Sequence, residues 1–159
     1  MSLKLSIEPV SEQNFEDLLF LIEQLAGYEK LTPPDPEAKN RLKRDGLSEN
    51  PRYHAFLGKF DDKYVGYVIY FTTYSSFLAL PILYLEDIFI LKEYRKQGIG
   101  TELFQFCVSQ AKSIGCGRIE FCVLDWNTSA QNFYNKLGAN RLGWIFYRMD
   151  KEQINNFKS

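Results

Sequence analysis

The segment EYRKQGIGTELFQF places two glycines, Gly98 and Gly100, directly after the basic residues Arg95 and Lys96. An apolar run precedes it and an amphipathic stretch follows, a pattern typical of a strand that gives way to a helix. Glycine lets backbone N–H groups converge on an anion, and the helix N-terminus adds the positive end of its dipole. The segment indicates an anion-binding turn, with an ordinary strand–helix connection as the alternative.

This turn differs from two well-known phosphate motifs. The dinucleotide fingerprint G-x-G-x-x-G requires a third glycine, and Leu103 stands at that position. The P-loop sequence G-x-x-x-x-G-K-[ST] does not occur in the chain. A nicotinamide oxidoreductase is therefore not favoured, and the remaining pattern is R-x-x-G-x-G between a strand and a helix.

Two adjacent carboxylates, Glu86 and Asp87, interrupt the apolar run ILYLEDIFI just before this turn. A buried carboxylate costs free energy unless it is paired or used. Because strand side chains alternate, we expect the two to point to opposite faces of the sheet, so that at most one faces a given cleft. The alternative is that each pairs with a basic residue at the end of the strand.

A tyrosine after the turn is the remaining candidate for chemistry. Ala130, Phe133, Tyr134 and Leu137 recur at helical spacing and form an apolar stripe. The spacing alone favours a core position for Tyr134 over a catalytic one. Its hydroxyl still needs a hydrogen-bond partner if it is buried.

Strands are predicted in the first half of the chain, and helices alternate with strands in the second. Ser11, a helix-capping residue type, precedes one helical pattern, and Asp35-Pro36 marks the start of another. Two alternating runs flank a predicted turn at Asp61–Lys63, and GWIFYRMD predicts a last strand. We expect an α/β (α+β) fold with one mixed, mostly antiparallel sheet flanked by helices, in a single domain over residues 1–159.

Composition argues against several partners. A net charge of −1 gives no field that would attract nucleic acid or anionic lipid. No apolar run approaches the ~20 residues of a membrane helix, and no signal-peptide pattern is expected at the N-terminus. Three cysteines without C-x-x-C spacing and a single histidine predict reduced thiols, a cytoplasmic location and no metal site.

Two motifs in a fixed order make the sequence resemble the GNAT acetyltransferase superfamily. They are R-x-x-G-x-G at Arg95–Gly100 and N-x-x-A-x-x-F-Y at Asn127–Tyr134. Further segments are similar to its diamine branch, the spermidine/spermine and thialysine acetyltransferases: AGYEK, LYLEDIFI, YRKQGIG, DWNTSAQNFY and GWIFYRMDKE. These segments span most of the chain in the order expected for that branch.

The resemblance implies acetyl-CoA as the acetyl donor, bound where two central strands diverge beside a β-bulge. The pantetheine arm would pair with the backbone of Ile88, Phe89 and Ile90, like an added strand. Further donor contacts are expected around the pyrophosphate and at the start of the later helix, from Arg95, Lys96, Gln97, Gly98, Ile99, Gly100, Thr101, Asn127, Ser129 and Ala130.

The resemblance also implies direct attack by a neutral acceptor amine. With an ammonium pKa near 10.4, only about one molecule in 2,500 is neutral at pH 7, a deficit of roughly 4.6 kcal/mol. Glu86 is expected to act as the base through a water, and Tyr134 as the acid that protonates the leaving sulfur. The cationic acceptor is expected to contact Tyr28, Glu29, Glu86 and Asp87.

The acceptor is expected to be a small-molecule primary amine: a short diamine, a polyamine or a lysine-like amino acid. Spermidine/spermine enzymes carry further acidic residues where this chain has TTYSSFLALP and NRLGW, so a long polyamine is the least favoured of these. A peptide or protein N-acetyltransferase and a non-catalytic acyl-CoA-binding module remain as alternatives. The resemblance, together with the aromatic C-terminal segment, also predicts a homodimer.

Overall fold

The central sheet contains five strands in chain order: β1 (Leu5–Pro9), β2 (His54–Phe60), β3 (Lys63–Ser75), β4 (Leu80–Ile90) and β5 (Arg118–Glu120). Neighbouring strands are antiparallel except for β4 and β5, which are parallel. The computed structural model describes residues 5–158, which divide into two compact units, and the first unit ends at Cys122 and holds this sheet. The predicted mixed, mostly antiparallel sheet is confirmed.

A two-residue turn joins β2 to β3. Asp61 and Asp62 have φ angles of 47° and 64°, and Phe60 pairs directly with Lys63. Positive φ at both central residues is the mark of a type I′ turn, whose twist matches that of antiparallel strands. Aspartate tolerates this conformation better than most residues do. The predicted hairpin is confirmed.

Helices cover both faces of the sheet in the first unit. They are α1 (Phe15–Glu29), α2 (Pro36–Gly46) and α3 (Ile99–Ile114), with a 3₁₀ turn at Lys92–Tyr94. The α1-side apolar cluster comprises Phe15, Leu18, Leu19, Leu21, Leu57, Tyr67, Ile69 and Phe89. The α3-side apolar cluster comprises Val65, Val68, Tyr70, Leu83, Leu85, Ile99, Leu103, Cys107 and Ala111. Each fully buried Leu or Phe contributes about 1.5–3 kcal/mol, so burial of these clusters fixes the helices against the sheet.

The two predicted helix starts have different outcomes. The side chain of Asp35 accepts a 2.7 Å hydrogen bond from the N–H of Ala38 and caps α2, as predicted. Ser11 does not cap α1, so that prediction is wrong. Its N–H donates to Oδ1 of Asn14 at 2.7 Å, closing a turn that delays the start of the helix to Phe15.

The second unit contains α4 (Thr128–Lys136) and α5 (Lys151–Asn155). Its described residues, 123–158, form no strand, so the strand predicted from GWIFYRMD is wrong. The apolar pattern is present, but a strand also needs a neighbour to pair its backbone N–H and C=O groups, and this unit supplies none. Among residues 5–158, no helix is both long enough and apolar enough to cross a bilayer.

Candidate active site

A β-bulge interrupts β4 at the two acidic residues. Ile69 of β3 pairs with Asp87, whereas the adjacent Tyr70 pairs with Leu85. Glu86 is therefore an extra residue in β4 with no partner on β3. Bulges locally disrupt the ladder and re-aim side chains, and this one affects the residues singled out as candidates for acid–base chemistry.

The bulge breaks the alternation of faces along β4. Leu85 and Ile88 both pack on the α3-side cluster, although two residues separate them. Asp87 lies on the opposite face, where it contacts Tyr67 of the α1-side cluster. The alternation of faces along β4 is therefore broken at the bulge, and the expectation that the two acids point to opposite faces stays a prediction.

Asp87 is partly buried and held by a neighbouring strand. The hydroxyl of Tyr67, a fully buried residue, donates to its Oδ2 across 3.3 Å. Burial, together with the negative charges of Glu86 and Glu29, raises the pKa of Asp87 to about 7, and the hydrogen bond from Tyr67 acts in the opposite direction. Burial likewise raises the pKa of Tyr67, which stays protonated and able to donate.

A third carboxylate, that of Glu29 on α1, lies near Asp87 and Tyr67. Glu29 is the last residue of that helix, and partial burial raises its pKa. Its charge acts on both Asp87 and Tyr67, whereas Glu86 is exposed on the surface of β4. The structure thus brings together the three predicted acidic residues, and the arrangement suits a cation held between α1 and the bulge.

Arg95 links the end of α1 to the end of β4. Its guanidinium carbon lies 4.6 Å from the ring centroid of Tyr28 and 5.5 Å from that of Phe89. Its Nε donates to the carbonyl oxygen of Ile90 at 2.9 Å. The side chain of Arg95 is therefore engaged with aromatic rings and backbone, and only its main chain lies at the start of the glycine turn.

The glycine turn has the backbone geometry that an anion site needs. Lys96 and Gly98 have φ angles of 62° and 86°, both left-handed. Gly98 occupies the N-cap position of α3, and no side chain caps the N–H groups of that first turn. Such alternation of conformations makes a concave nest of N–H groups, which together with the helix dipole fits a phosphate.

One edge of β4 lacks a partner strand beyond the bulge. In the part of the chain that the structure describes, β5 pairs with Ile82–Tyr84 only, so β4 from Leu85 to Ile90 pairs with β3 alone. The edge at Ile88–Ile90 can therefore take hydrogen bonds from an extended ligand, in the manner of an added strand. This edge leads directly to the glycine turn, as the position of the predicted donor site requires.

The second unit carries the remaining predicted residues on or beside α4. Oδ1 of Asn127 accepts a 3.1 Å hydrogen bond from the N–H of Ala130 and caps the helix, while Ser129 is exposed. Tyr134 is partly buried, and its ring centroid lies 5.2 Å from that of Phe133. Its position on α4 is compatible with both the core role and the catalytic role considered above.

Tyr67 is the residue at this site that sequence reasoning missed. It lies in the run YVGYVIYF, whose recurring aromatic and β-branched residues are typical of an ordinary core strand. Its contact with Asp87 depends on the register between β3 and β4, and a bulge shifts that register by one residue. No signal in a single sequence gives the position of such a bulge.

The fold and the site define a class of protein, and comparison with known proteins agrees. The model of the acetyltransferase (GNAT) family matches residues 18–139. The chain therefore belongs to the GNAT family and is an N-acetyltransferase. An integron cassette protein from Vibrio cholerae superimposes with a TM-score of 0.79 at 21% identity, covering 97% of both chains, which shows a common fold.

Curated relatives lie in the diamine branch that the sequence resembles. Thialysine N-epsilon-acetyltransferase of Mus musculus is 34% identical and covers 93% of this chain and 94% of its own length. L-ornithine N5-acetyltransferase of Arabidopsis thaliana is 44% identical over 93 residues, covering 57% of this chain and 41% of its own. A solved aminoglycoside N-acetyltransferase in complex with CoA aligns with a TM-score of 0.76 at 18% identity, covering 95% of this chain and 97% of its own.

Proposed function

We propose that the protein transfers the acetyl group of acetyl-CoA to the primary amine of a small molecule: a short diamine, a polyamine or a lysine-like amino acid. The observation that carries the proposal is the group of three carboxylates, Glu29, Glu86 and Asp87, beside an unpaired strand edge and a left-handed turn. Relatives named for thialysine and ornithine support an acceptor of this class.

The donor site in this proposal consists mainly of backbone. The free edge of Ile88–Ile90 hydrogen-bonds the pantetheine arm, and the N–H groups of Gln97–Thr101 bind the pyrophosphate. Asn127, Ser129 and Ala130 at the start of α4 contact the remainder of the donor, a role carried over from the family. Bound in this way, acetyl-CoA supplies the acetyl group as an activated thioester.

The acceptor site in this proposal binds an ammonium group and removes its proton. Glu29, Glu86 and Asp87 attract the cation, and Tyr28 at the end of α1 contacts its alkyl chain. Because so little amine is neutral at pH 7, a protein carboxylate at the bulge accepts the proton before attack. The hydroxyl of Tyr134, again by family resemblance, gives a proton to the leaving sulfur.

We also propose that the enzyme works as a cytoplasmic homodimer. Cys107, Cys116 and Cys122 carry free thiols, which suits a reducing compartment. The aromatic segment Trp144–Tyr147 of the second unit is largely exposed, and apolar groups of this size are commonly buried against a partner. Sedimentation at micromolar protein should therefore show a species heavier than the 18.6 kDa chain.

The experiment that tests the function is a thiol-release assay with acetyl-CoA against a panel of acceptors. The panel contains putrescine-length diamines, spermidine, spermine, thialysine, lysine, ornithine and short peptides, and mass spectrometry identifies each product. Release of CoA with a small primary amine is expected. Activity confined to peptides would instead support a protein acetyltransferase, and binding of acetyl-CoA without any turnover would support the non-catalytic module.

A further inference from the structure

We propose that Asp87, held by the buried hydroxyl of Tyr67, accepts the proton of the acceptor ammonium, and that Glu86 assists it as a neighbouring charge. This inference rests on the proposed function and assigns the base within that site. It differs from the expectation from sequence, in which Glu86 is the base. The surroundings of the two adjacent carboxylates carry the argument, because Asp87 is partly buried and bonded to Tyr67, whereas Glu86 is exposed.

The two carboxylates differ in enclosure and in hydrogen bonding. The side chain of Asp87 is partly buried, and the hydroxyl of Tyr67 donates a hydrogen bond to one of its oxygens, Oδ2. That leaves the other oxygen, Oδ1, to receive a proton. Glu86 is the extra, exposed residue and has no partner on β3. A base held in one orientation against a packed strand is the better placed of the two for proton transfer.

The electrostatic surroundings of Asp87 favour the same assignment. The titratable and charged groups around it are Glu86 on its own strand, Tyr67 on β3, Glu29 on α1 and, two residues further along β4, the guanidinium of Arg95 over Phe89. Burial and the two carboxylates raise the pKa of Asp87 to about 7. A general base works best when its pKa is near the working pH.

The proton balance of the reaction requires one such acceptor. The acceptor nitrogen loses two protons on going from ammonium to amide, and the leaving sulfur gains one. In this assignment an N–H bond of the ammonium breaks and an O–H bond forms on Asp87, which leaves the nitrogen lone pair free to attack. The proton then passes from Asp87 to solvent, and the carboxylate is restored.

The pH dependence of kcat/KM separates the two acids. Asp87 is active as the carboxylate, so the wild-type rate should rise through about pH 7 and level off above it. Asp87→Asn should abolish this rise and lower the rate at pH 7 by about 10²- to 10⁴-fold. Glu86→Gln removes a charge that raises the pKa of Asp87, so it should keep the rise and move it to lower pH. Tyr67→Phe removes a bond that lowers that pKa and should move the rise to higher pH.

A second set of experiments measures the titration of the Asp87 carboxylate in the absence of turnover. Carbon-13 NMR of the aspartate carboxyls should show one resonance titrating near pH 7 in the wild type, the same resonance titrating at lower pH in Glu86→Gln, and no such resonance in Asp87→Asn. Calorimetry with a dead-end amine in buffers of different ionisation enthalpy should show proton release near pH 7, lost only in Asp87→Asn.

The outcomes distinguish this inference from the function on which it rests. If the wild type acetylates no amine, the proposed function fails, and the base assignment fails with it. If the wild type is active but Asp87→Asn keeps the rise near pH 7, or Glu86→Gln abolishes it, only the base assignment is overturned. Absence of a carboxyl titrating near pH 7 in the folded wild type also overturns it.

Discussion

Arg95 lies over the ring of Tyr28, with 4.6 Å between the guanidinium carbon and the ring centroid. This contact joins the residue that opens the glycine turn to the last turn of α1, where the acceptor is expected. A cation–π contact of this kind is worth about 0.5–2 kcal/mol, and the Nε bond to Ile90 adds a second restraint. Through Arg95, the segment expected to bind the donor also supports the segment expected to bind the acceptor.

The first prediction follows from that contact. Arg95→Met should raise the KM for the acceptor amine several-fold, because Tyr28 loses its support, and should lower stability by about 1–2 kcal/mol. Steady-state kinetics and thermal unfolding measure the two effects. The matched control is Lys92→Met, which removes one positive charge from the same segment at an exposed position. Equal acceptor KM values in the two variants would mean that the stacking does not shape the acceptor site.

The donor site gives the second prediction. Gly100→Val puts a branched side chain in the first turn of α3, where backbone N–H groups are expected to approach the pyrophosphate. We expect calorimetry to show at least tenfold weaker binding of acetyl-CoA with little change in melting temperature. Gly143→Ala is the control, because a Cβ there meets no atom within 4 Å. Unchanged affinity in Gly100→Val would refute the assignment of this turn to the donor.

The third prediction concerns Tyr134. Tyr134→Phe should keep the affinity for acetyl-CoA and lower kcat by about 10²- to 10⁴-fold, because it removes only the hydroxyl. Phe133→Leu changes the ring next to it and serves as a packing control. If Tyr134→Phe had a nearly normal kcat, Tyr134 would not be the catalytic acid and would have the core role that its spacing suggests.

Local signals in the sequence were sufficient for much of the fold. Asp35 followed by proline fixes a capped helix start, and the glycine turn fixes the junction between β4 and α3. Both depend on the conformational preferences of a few consecutive residues, which a single sequence displays. The mixed sheet follows in the same way from alternating apolar runs.

The parts that could not be predicted depend on contacts between distant segments. The break in alternation at Glu86 comes from a register shift against β3, and strand periodicity alone cannot show it. Tyr67 reaches Asp87 only because of that register. The apolar run GWIFYRMD has the composition of a strand, but whether it becomes one depends on a neighbour that the sequence does not specify.

The fourth prediction uses the pKa of Asp87 as a statement about stability. In the folded chain this pKa is about 7, above the ordinary value of 3.8, so the folded state favours the protonated form. The stability that the folded protein gains from this shift in pKa is therefore present below about pH 4 and is lost as pH rises through 7. Asp87→Asn should stabilise the protein by on the order of 1–3 kcal/mol at pH 8, with the gain vanishing near pH 4. Thermal unfolding of both proteins at several pH values measures this, and a pH-independent difference would contradict it.

The last prediction concerns the choice of acceptor, which depends on how many positive charges the site can match. Glu29, Glu86 and Asp87 are the carboxylates at the site, and Asp87 is only about half ionised at pH 7. Spermine carries four ammonium groups, and each exposed ion pair contributes only about 0–1 kcal/mol, so the charges left without a partner add little affinity. We therefore expect thialysine, ornithine or a short diamine to have a higher kcat/KM than spermine. Steady-state kinetics with all four at low and high salt decide this, because charge-driven preference weakens as salt screens it. A clear preference for spermine would mean that anionic groups outside this trio bind the far end of the acceptor.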